Sequence, residues 1–135
     1  MVVNTIKPIK SFICHSSKEK KIARLFKNCL ENYFGFQAFL AHEDLEPSIE
    51  WDPEISKNLK GTDIVIPLIS INSKTSPFVN QEIGIAIAIH KKIIPVKIGN
   101  IDPFGFISKL QGCKCKDLSE YGLLEVVTKI FFHLI

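Results

Sequence analysis

The residue best suited to take part in a reaction is a glutamate in an apolar stretch. Glu82 is followed by Ile83, Ile85 and Ile87, and a helix would place it on the same face as Phe78, four residues earlier. A carboxylate in such a place can stabilise developing positive charge or accept hydrogen bonds from hydroxyl groups. An aromatic side chain can stack on a flat heterocycle. The alternatives are that Glu82 is a solvated surface residue and that Phe78 is a core contact at a helix start.

A second group of polar residues follows the first apolar segment of the chain. His15, Ser16 and Ser17 come directly after residues 9–14 and before a helical pattern. Hydroxyl groups and backbone N–H groups at a helix start can bind phosphate. The alternative is that the serines cap the helix, since Ser16 with Glu19 three residues later fits a capping box.

The hydrophobic periodicity predicts alternating strands and helices. Residues 64–69 are almost wholly apolar, which is typical of a strand buried on both faces of a parallel sheet. The pattern indicates an open, doubly wound α/β domain that spans residues 1–135 as a single unit. The predicted strands are 9–14, 36–40, 64–69, 93–98 and 113–118, and the predicted helices are 16–34, 51–61, 76–92 and 121–135, with an acidic, Pro47-containing loop at 42–51.

Composition excludes several classes of protein. The net charge of +3 is small and evenly spread, which argues against a nucleic-acid-binding role. The longest nearly apolar run, residues 83–89, is far shorter than the ~20 residues that cross a bilayer, and the first ten residues lack a signal-peptide core. We therefore expect a soluble, cytoplasmic domain. The spacing of the four cysteines predicts free thiols and fits neither a disulfide framework nor a metal site.

The residues at the predicted strand ends exclude several well-known sites. A dinucleotide-binding loop of the form G-x-G-x-x-G and a Walker loop are both absent from the sequence. The ends of the first and third strands carry no carboxylate for a phosphate-accepting receiver domain, and no G-x-S-x-G elbow is present.

Four segments, in order and at suitable spacing, resemble the TIR (Toll/interleukin-1 receptor) domain, especially its prokaryotic, NAD-cleaving branch. They are FICHSSKEK, LAHEDLEPSIEW, IPLIS and SPFVNQEIGIA, and the resemblance extends over about residues 9–110. It implies a flavodoxin-like fold, with a five-stranded parallel sheet of order 2-1-3-4-5 and helices on both faces.

The same resemblance implies an activity and a catalytic residue. Enzymatic TIR domains carry a pattern like S-x-W-x-x-x-E, which Ser76, Phe78 and Glu82 match with phenylalanine in place of tryptophan. The implied reaction is that of an NAD+ nucleosidase in microbial defence or signalling: cleavage between nicotinamide and ribose, giving ADP-ribose or, as an ADP-ribosyl cyclase, a cyclic isomer. NAD+ would be the substrate, and no cofactor or metal is expected.

Substrate contacts are expected from Cys14, His15, Ser16, His42, Glu43, Ser76 and Phe78. Enzymatic relatives often have arginines after the first strand, and this chain has none there. That departure keeps open the alternative of a non-enzymatic TIR adaptor or interaction module. A third hypothesis, nucleoside 2-deoxyribosyl transfer, is disfavoured by the acidic proline loop.

The acidic loop resembles the segment through which TIR domains associate. Its carboxylates could meet basic residues of a second copy, such as Lys91, Lys92 and Lys97, in a head-to-tail contact that salt would weaken. We therefore expect self-association through TIR–TIR contacts at residues 42–51, and neither nucleic acid nor a membrane as a partner.

Overall fold

The structure is a computed structural model, and it describes residues 7–40 and 53–134. Within that part of the chain, short strands and helices alternate. They are β1 Lys10–Cys14, α1 Lys20–Phe34, β2 Gln37–Leu40, α2 Pro53–Gly61, β3 Ile64–Ile69, α3 Ile71–Lys74, α4 Pro77–Ala88, β4 Lys92–Ile93, β5 Val96–Lys97, β6 Cys113–Lys114 and α5 Glu120–Leu134, with 3-10 turns at Ser17–Glu19 and Gly105–Ile107. No helix in the described ranges is long and apolar enough to cross a membrane.

All strand pairs in the sheet are parallel, and the order β2-β1-β3-β5-β6, with β4 also paired to β3, confirms the predicted order 2-1-3-4-5. The fourth strand position differs from the prediction, because it is divided into β4 and β5. Val65 pairs with Ile93 and Leu68 pairs with Val96, so the shared register sets Pro67 opposite Pro95 in the gap. A proline has no N–H to donate, and the ladder is interrupted there.

Helices cover both faces of the sheet, as predicted. The side chains of β3 show this, because they alternate between two hydrophobic cores. Ile64, Ile66 and Leu68 belong to a core with α1 and α5, whereas Val65 and Ile69 belong to a second core with α2 and α4. Successive side chains of a strand point to opposite faces, so one fully buried strand supplies both cores. Cys14 of β1 lies on the α2/α4 side.

The start of α1 differs from the predicted capping box. The Ser16 hydroxyl accepts a hydrogen bond from the Lys18 backbone N–H at 3.2 Å and opens a 3-10 turn, and α1 begins only at Lys20. The Glu19 carboxylate instead accepts a hydrogen bond from the Ser70 hydroxyl at 2.6 Å. The end of α1 is as predicted, because Gly35 takes the left-handed conformation with φ of 69°.

Two other boundaries and one additional helix differ from the sequence prediction. Helix α4 ends at Ala88 and does not reach residue 92, and His90 turns the chain with a φ of 60°. The last strand has only the two residues Cys113–Lys114, and the short helix α3 was not predicted at all. The predicted loop at 42–51 and the helix start at Trp51 lie outside the described residues.

Candidate functional site

The carboxyl ends of β1 and β3 bring buried polar residues to one edge of the sheet. The two strands pair in parallel, so His15 and Ser16 after β1 lie at the same edge as Ser70 after β3. All three side chains are buried, as is Cys14, the last residue of β1. In open parallel sheets this edge is where ligands bind.

Helix α4 holds Glu82 against this edge. The Ser76 hydroxyl caps the helix by accepting a hydrogen bond from the Val79 N–H at 3.3 Å, and Pro77 occupies the first turn. The helix buries Val79, Glu82, Ile83 and Ala86 against the sheet. Only 2% of Glu82 is exposed, so it is not the solvated residue of the alternative interpretation.

Cys14 and Glu82 form a buried thiol–carboxylate pair. Burial raises the pKa of the Cys14 thiol well above its ordinary value, and the nearby charge of Glu82 raises this pKa further. A carboxylate that raises the pKa of a neighbouring thiol favours the S–H form. The chain thus places a proton donor beside a carboxylate in an apolar layer.

His15 and Ser16 are turned towards the chain itself. The His15 ring is completely buried, and its Nδ1 lies 2.9 Å from the carbonyl oxygen of Ser16. The Ser16 hydroxyl caps the 3-10 turn, which is the capping alternative for this residue. Both residues thus lie at the predicted edge of the sheet, and each makes a hydrogen bond with nearby backbone.

The remaining predicted site residues divide between the described and undescribed parts of the chain. Ser76 and Phe78 lie at the start of α4, and Phe78 is 38% exposed, so it is more than a core contact. His42 and Glu43 lie outside the described residues. Among residues 7–40 and 53–134, no group of three or more His, Cys, Asp or Glu side chains could hold a metal ion.

Sequence reasoning missed a serine–glutamate network at the end of β3. The Ser70 hydroxyl accepts from the Ser73 N–H at 3.1 Å, and the Ser73 hydroxyl accepts from the Ser70 N–H at 2.9 Å. Because Ser70 also donates to Glu19, the network ties β3 to the turn that precedes α1. The S-x-x-S spacing directly after an apolar strand was the available signal for the cap, but nothing local indicated Glu19.

The site is closed in this structure. A surface depression of about 390 Å³ lies near the other edge of the sheet, where Lys10, Gln37 and Thr62 line it, and Glu82 does not take part in it. With 2% of Glu82 exposed, a substrate could reach the carboxylate only after neighbouring groups had moved.

Two of the three lysines expected to meet an acidic loop are engaged within the chain. The Lys91 ammonium donates to the carbonyl oxygens of Lys60 and Thr62 at 2.7 and 2.8 Å. Lys97 forms an ion pair of 2.7 Å with Asp102, which lowers the pKa of that carboxyl. Lys92 is the one of the three that is exposed.

Burial of Cys14 leads to a prediction about thiol reactivity. At pH 8 a thiol reagent should leave Cys14 unlabelled in the native protein, because the thiol is buried and its pKa is raised. Labelling in denaturant should count the four free cysteines, and Cys14→Ser should lower that count by one without changing native labelling. Rapid native labelling that Cys14→Ser removes would show that the site is open.

The model of one protein family, described as the TIR domain, matches residues 12–125 of the chain. No curated protein sequence matches it. Among solved structures, the TIR domain of the Toll-related receptor TRR-2 from Hydra magnipapillata is similar, with a TM-score of 0.70, 14% identity, and coverage of 91% of this chain and 94% of that one.

Two further structures share the fold. The TIR domains of the activated Roq1 resistosome, which recognises the pathogen effector XopQ, match with a TM-score of 0.65 and 14% identity, over 94% of this chain and 99% of that one. The CMP N-glycosidase BcmB of Clostridium botulinum matches with a TM-score of 0.58 and 19% identity, over 90% of this chain and 98% of that one.

Proposed function

The chain belongs to the TIR-domain family, and from this premise we propose that it is an NAD+ nucleosidase that cleaves the bond between nicotinamide and ribose. The observation that carries the proposal is the burial of Glu82. Placing a carboxylate in an apolar layer costs stability, and such groups are concentrated at functional sites. The shared fold of a CMP N-glycosidase adds support, because that enzyme's name also describes cleavage of an N-glycosidic bond.

The proposed reaction needs one carboxylate and no strong acid. The bond from ribose C1′ to the pyridinium nitrogen breaks with its electron pair going to nitrogen, so nicotinamide leaves as a neutral molecule. The ribose then carries positive charge, which the Glu82 carboxylate would stabilise. Water adds to C1′ and loses a proton, giving ADP-ribose. Attack by a group of the substrate itself would give a cyclic isomer, and the replacement of the family's tryptophan by Phe78 disfavours that outcome.

The other expected contacts fit a substrate that enters at the carboxyl ends of the strands. Phe78 is partly exposed at the start of α4, where it could stack on a ring of the substrate. Lys18 and Lys20 are exposed beside the turn after β1 and could attract the phosphates in place of the arginines of relatives. We retain roles in substrate binding for His15, Ser16, His42, Glu43 and Ser76, with NAD+ as a substrate and no resident cofactor.

The direct test is incubation of the purified protein with NAD+, followed by quantification of free nicotinamide and ADP-ribose. Release of both in equal amounts supports the proposal. The competing candidate is a non-enzymatic TIR interaction module, and the absence of arginine from residues 15–20, directly after β1, is the observation that favours it. Folded protein that releases no nicotinamide at any concentration would favour that module.

We also propose that the chain self-associates through the acidic loop at residues 42–51 and that association promotes cleavage. The TIR domains of Roq1 were solved within an activated assembly, and the exposed Lys92 offers a basic contact for the loop of a second copy.

Specific activity should therefore rise with protein concentration and fall as salt is added, because exposed charges are screened within about 8–10 Å at ordinary ionic strength. Lys92→Glu should weaken this concentration dependence, whereas Lys116→Glu, at an exposed lysine just after β6, would serve as a charge-matched control. Specific activity that stays constant over a hundredfold range of concentration would contradict the assembly and leave the role of Glu82 intact.

A further inference from the structure

A second carboxylate lies at the carboxyl edge of the sheet, and a buried serine fixes its position. Glu19 belongs to the 3-10 turn between β1 and α1, and its carboxylate accepts a hydrogen bond of 2.6 Å from the Ser70 hydroxyl. Only 3% of Ser70 is exposed, and the Ser73 N–H donates to the same hydroxyl oxygen at 3.1 Å. A hydrogen bond to a charged acceptor is stronger than a neutral one, so the contact holds the carboxylate firmly.

The Glu19 carboxylate is accessible where that of Glu82 is not. Glu19 is partly exposed, whereas Glu82 is buried. A carboxylate has about four sites that accept hydrogen bonds, so the bond from Ser70 leaves most of this capacity for a ligand. In nucleotide-binding α/β domains, an acidic residue near the carboxyl edge of the sheet commonly accepts from the hydroxyl groups of a ribose.

The register of the sheet places this carboxylate further out than Glu82. Cys14 pairs with Pro67 of β3 and belongs to the core into which α4 packs the neighbours of Glu82. Ser70 follows Pro67 by three residues. Because a strand advances ~3.3 Å per residue, the contact between Ser70 and Glu19 lies about 10 Å further along the strand direction. The edge therefore carries an inner and an outer carboxylate.

We infer that Glu19 is a specificity-determining residue, whose carboxylate, anchored by Ser70, accepts hydrogen bonds from the adenosine ribose of NAD+ and excludes NADP+. The inference rests on the proposed function of Glu82. The outer position suits this ribose, because the pyrophosphate separates it from the ribose on which Glu82 would act. NADP+ carries a phosphate in place of the 2′-hydroxyl, and this phosphate would lose a hydrogen-bond donor and meet a like charge that is fixed in place.

Glu19→Gln tests the role of the charge. The amide oxygen can still accept the hydrogen bond from Ser70, so the turn should keep its shape while the repulsion is lost. The exposed Lys18 and Lys20 would then attract a 2′-phosphate. Measured by titration calorimetry, the wild type should bind ADP-ribose at least tenfold more tightly than 2′-phospho-ADP-ribose, and Glu19→Gln should reduce this preference to within about threefold. The kcat for NAD+ should stay within about twofold.

Ser70→Ala tests the anchor and leaves the charge in place. Without the hydroxyl donor the carboxylate is free to turn away from the ribose. Affinity for ADP-ribose should fall about threefold to fivefold, and the preference over 2′-phospho-ADP-ribose should lie between those of the wild type and Glu19→Gln. Wild-type affinity and preference in this variant would contradict the anchoring on which the inference depends.

Glu31→Gln is the matched control. Glu31 is also a partly exposed glutamate, but it accepts a hydrogen bond from the Ala38 N–H at 3.3 Å near the start of β2, towards the other end of the strands. Its substitution should leave the preference for ADP-ribose unchanged. A preference that Glu19→Gln leaves unchanged, or that Glu31→Gln lowers equally, would overturn the inference. Wild-type protein that binds neither compound would overturn it as well.

The same measurements separate the inference from the proposed function. Protein that binds ADP-ribose with the expected preference but releases no nicotinamide from NAD+ would overturn the proposed function and leave the role of Glu19 standing. Cleavage of NAD+ and NADP+ with equal kcat/KM would overturn the inference and leave the role of Glu82 intact.

Discussion

Glu82→Gln is expected to lower the kcat of NAD+ cleavage by about a thousandfold or more, because a neutral amide cannot stabilise positive charge on the ribose. The substitution keeps the size of the side chain and removes a charge from an apolar layer, so thermal stability should be equal to or higher than that of the wild type. Nicotinamide release and thermal unfolding, measured on the same preparations, check the two parts of this prediction.

Glu125→Gln is the matched control for this substitution. Glu125 is an exposed residue of α5, and its carboxylate lies 3.7 Å from Lys129 in an i,i+4 pair. Exposed pairs of this kind contribute about 0.5 kcal/mol or less, so both turnover and stability should be nearly unchanged. If folded Glu82→Gln protein kept the turnover of the wild type, Glu82 would have to be a structural residue, and the group that stabilises the ribose would have to be a different one.

Gly122→Ala is expected to destabilise the protein by about 2–3 kcal/mol, because the added methyl group has no room. Gly122 is buried near the start of α5, and a Cβ there would overlap the backbone carbonyl oxygen of Asp117. The Asp117 side chain cannot yield easily, because it accepts hydrogen bonds from the backbone and hydroxyl of Ser119, which lower its pKa. The free energy of unfolding in urea measures the loss.

Gly84→Ala adds the same methyl group where there is space for it. Gly84 lies inside α4, and no heavy atom comes within 4 Å of a Cβ built there. We expect a gain of about 0.5–1 kcal/mol, because alanine has the higher helix propensity and loses less backbone entropy on folding. Changes of the same sign in the two variants would contradict the packing described at Gly122.

The parts of the fold that the sequence predicts well depend on local signals. An unbroken apolar run marked β3, Gly35 marked the end of α1, and Ser76 with Pro77 marked the start of α4. Each of these is a property of a few neighbouring residues. The parallel order of the sheet follows from the alternation of such elements, because a helix between two strands returns the chain to the same edge.

The features that escaped prediction depend on which residues the fold sets face to face. The break between β4 and β5 requires Pro67 to stand opposite Pro95, and that register is invisible in either segment alone. The hydrogen bond between Glu19 and Ser70 joins residues 51 positions apart. It engages the Glu19 carboxylate that the local sequence had assigned to a capping box with Ser16. Glu82 could be singled out from its apolar neighbours, but its partner Cys14 could be identified only once β1 and α4 were packed together.

The burial of Glu82 has a consequence for how strongly a substrate can bind. If Glu82 is the carboxylate that acts on NAD+, its exposure of 2% makes this structure the binding-incompetent member of an equilibrium, and substrate would occupy the site only in proportion to the fraction of molecules that are open. If that fraction is about one in a hundred, the apparent dissociation constant is about a hundredfold weaker than the intrinsic one. A partner or second copy that favours the open form would raise the occupancy at a fixed NAD+ concentration without a single new contact to the substrate. The same chain would then cleave little NAD+ as a monomer and much more in an assembly.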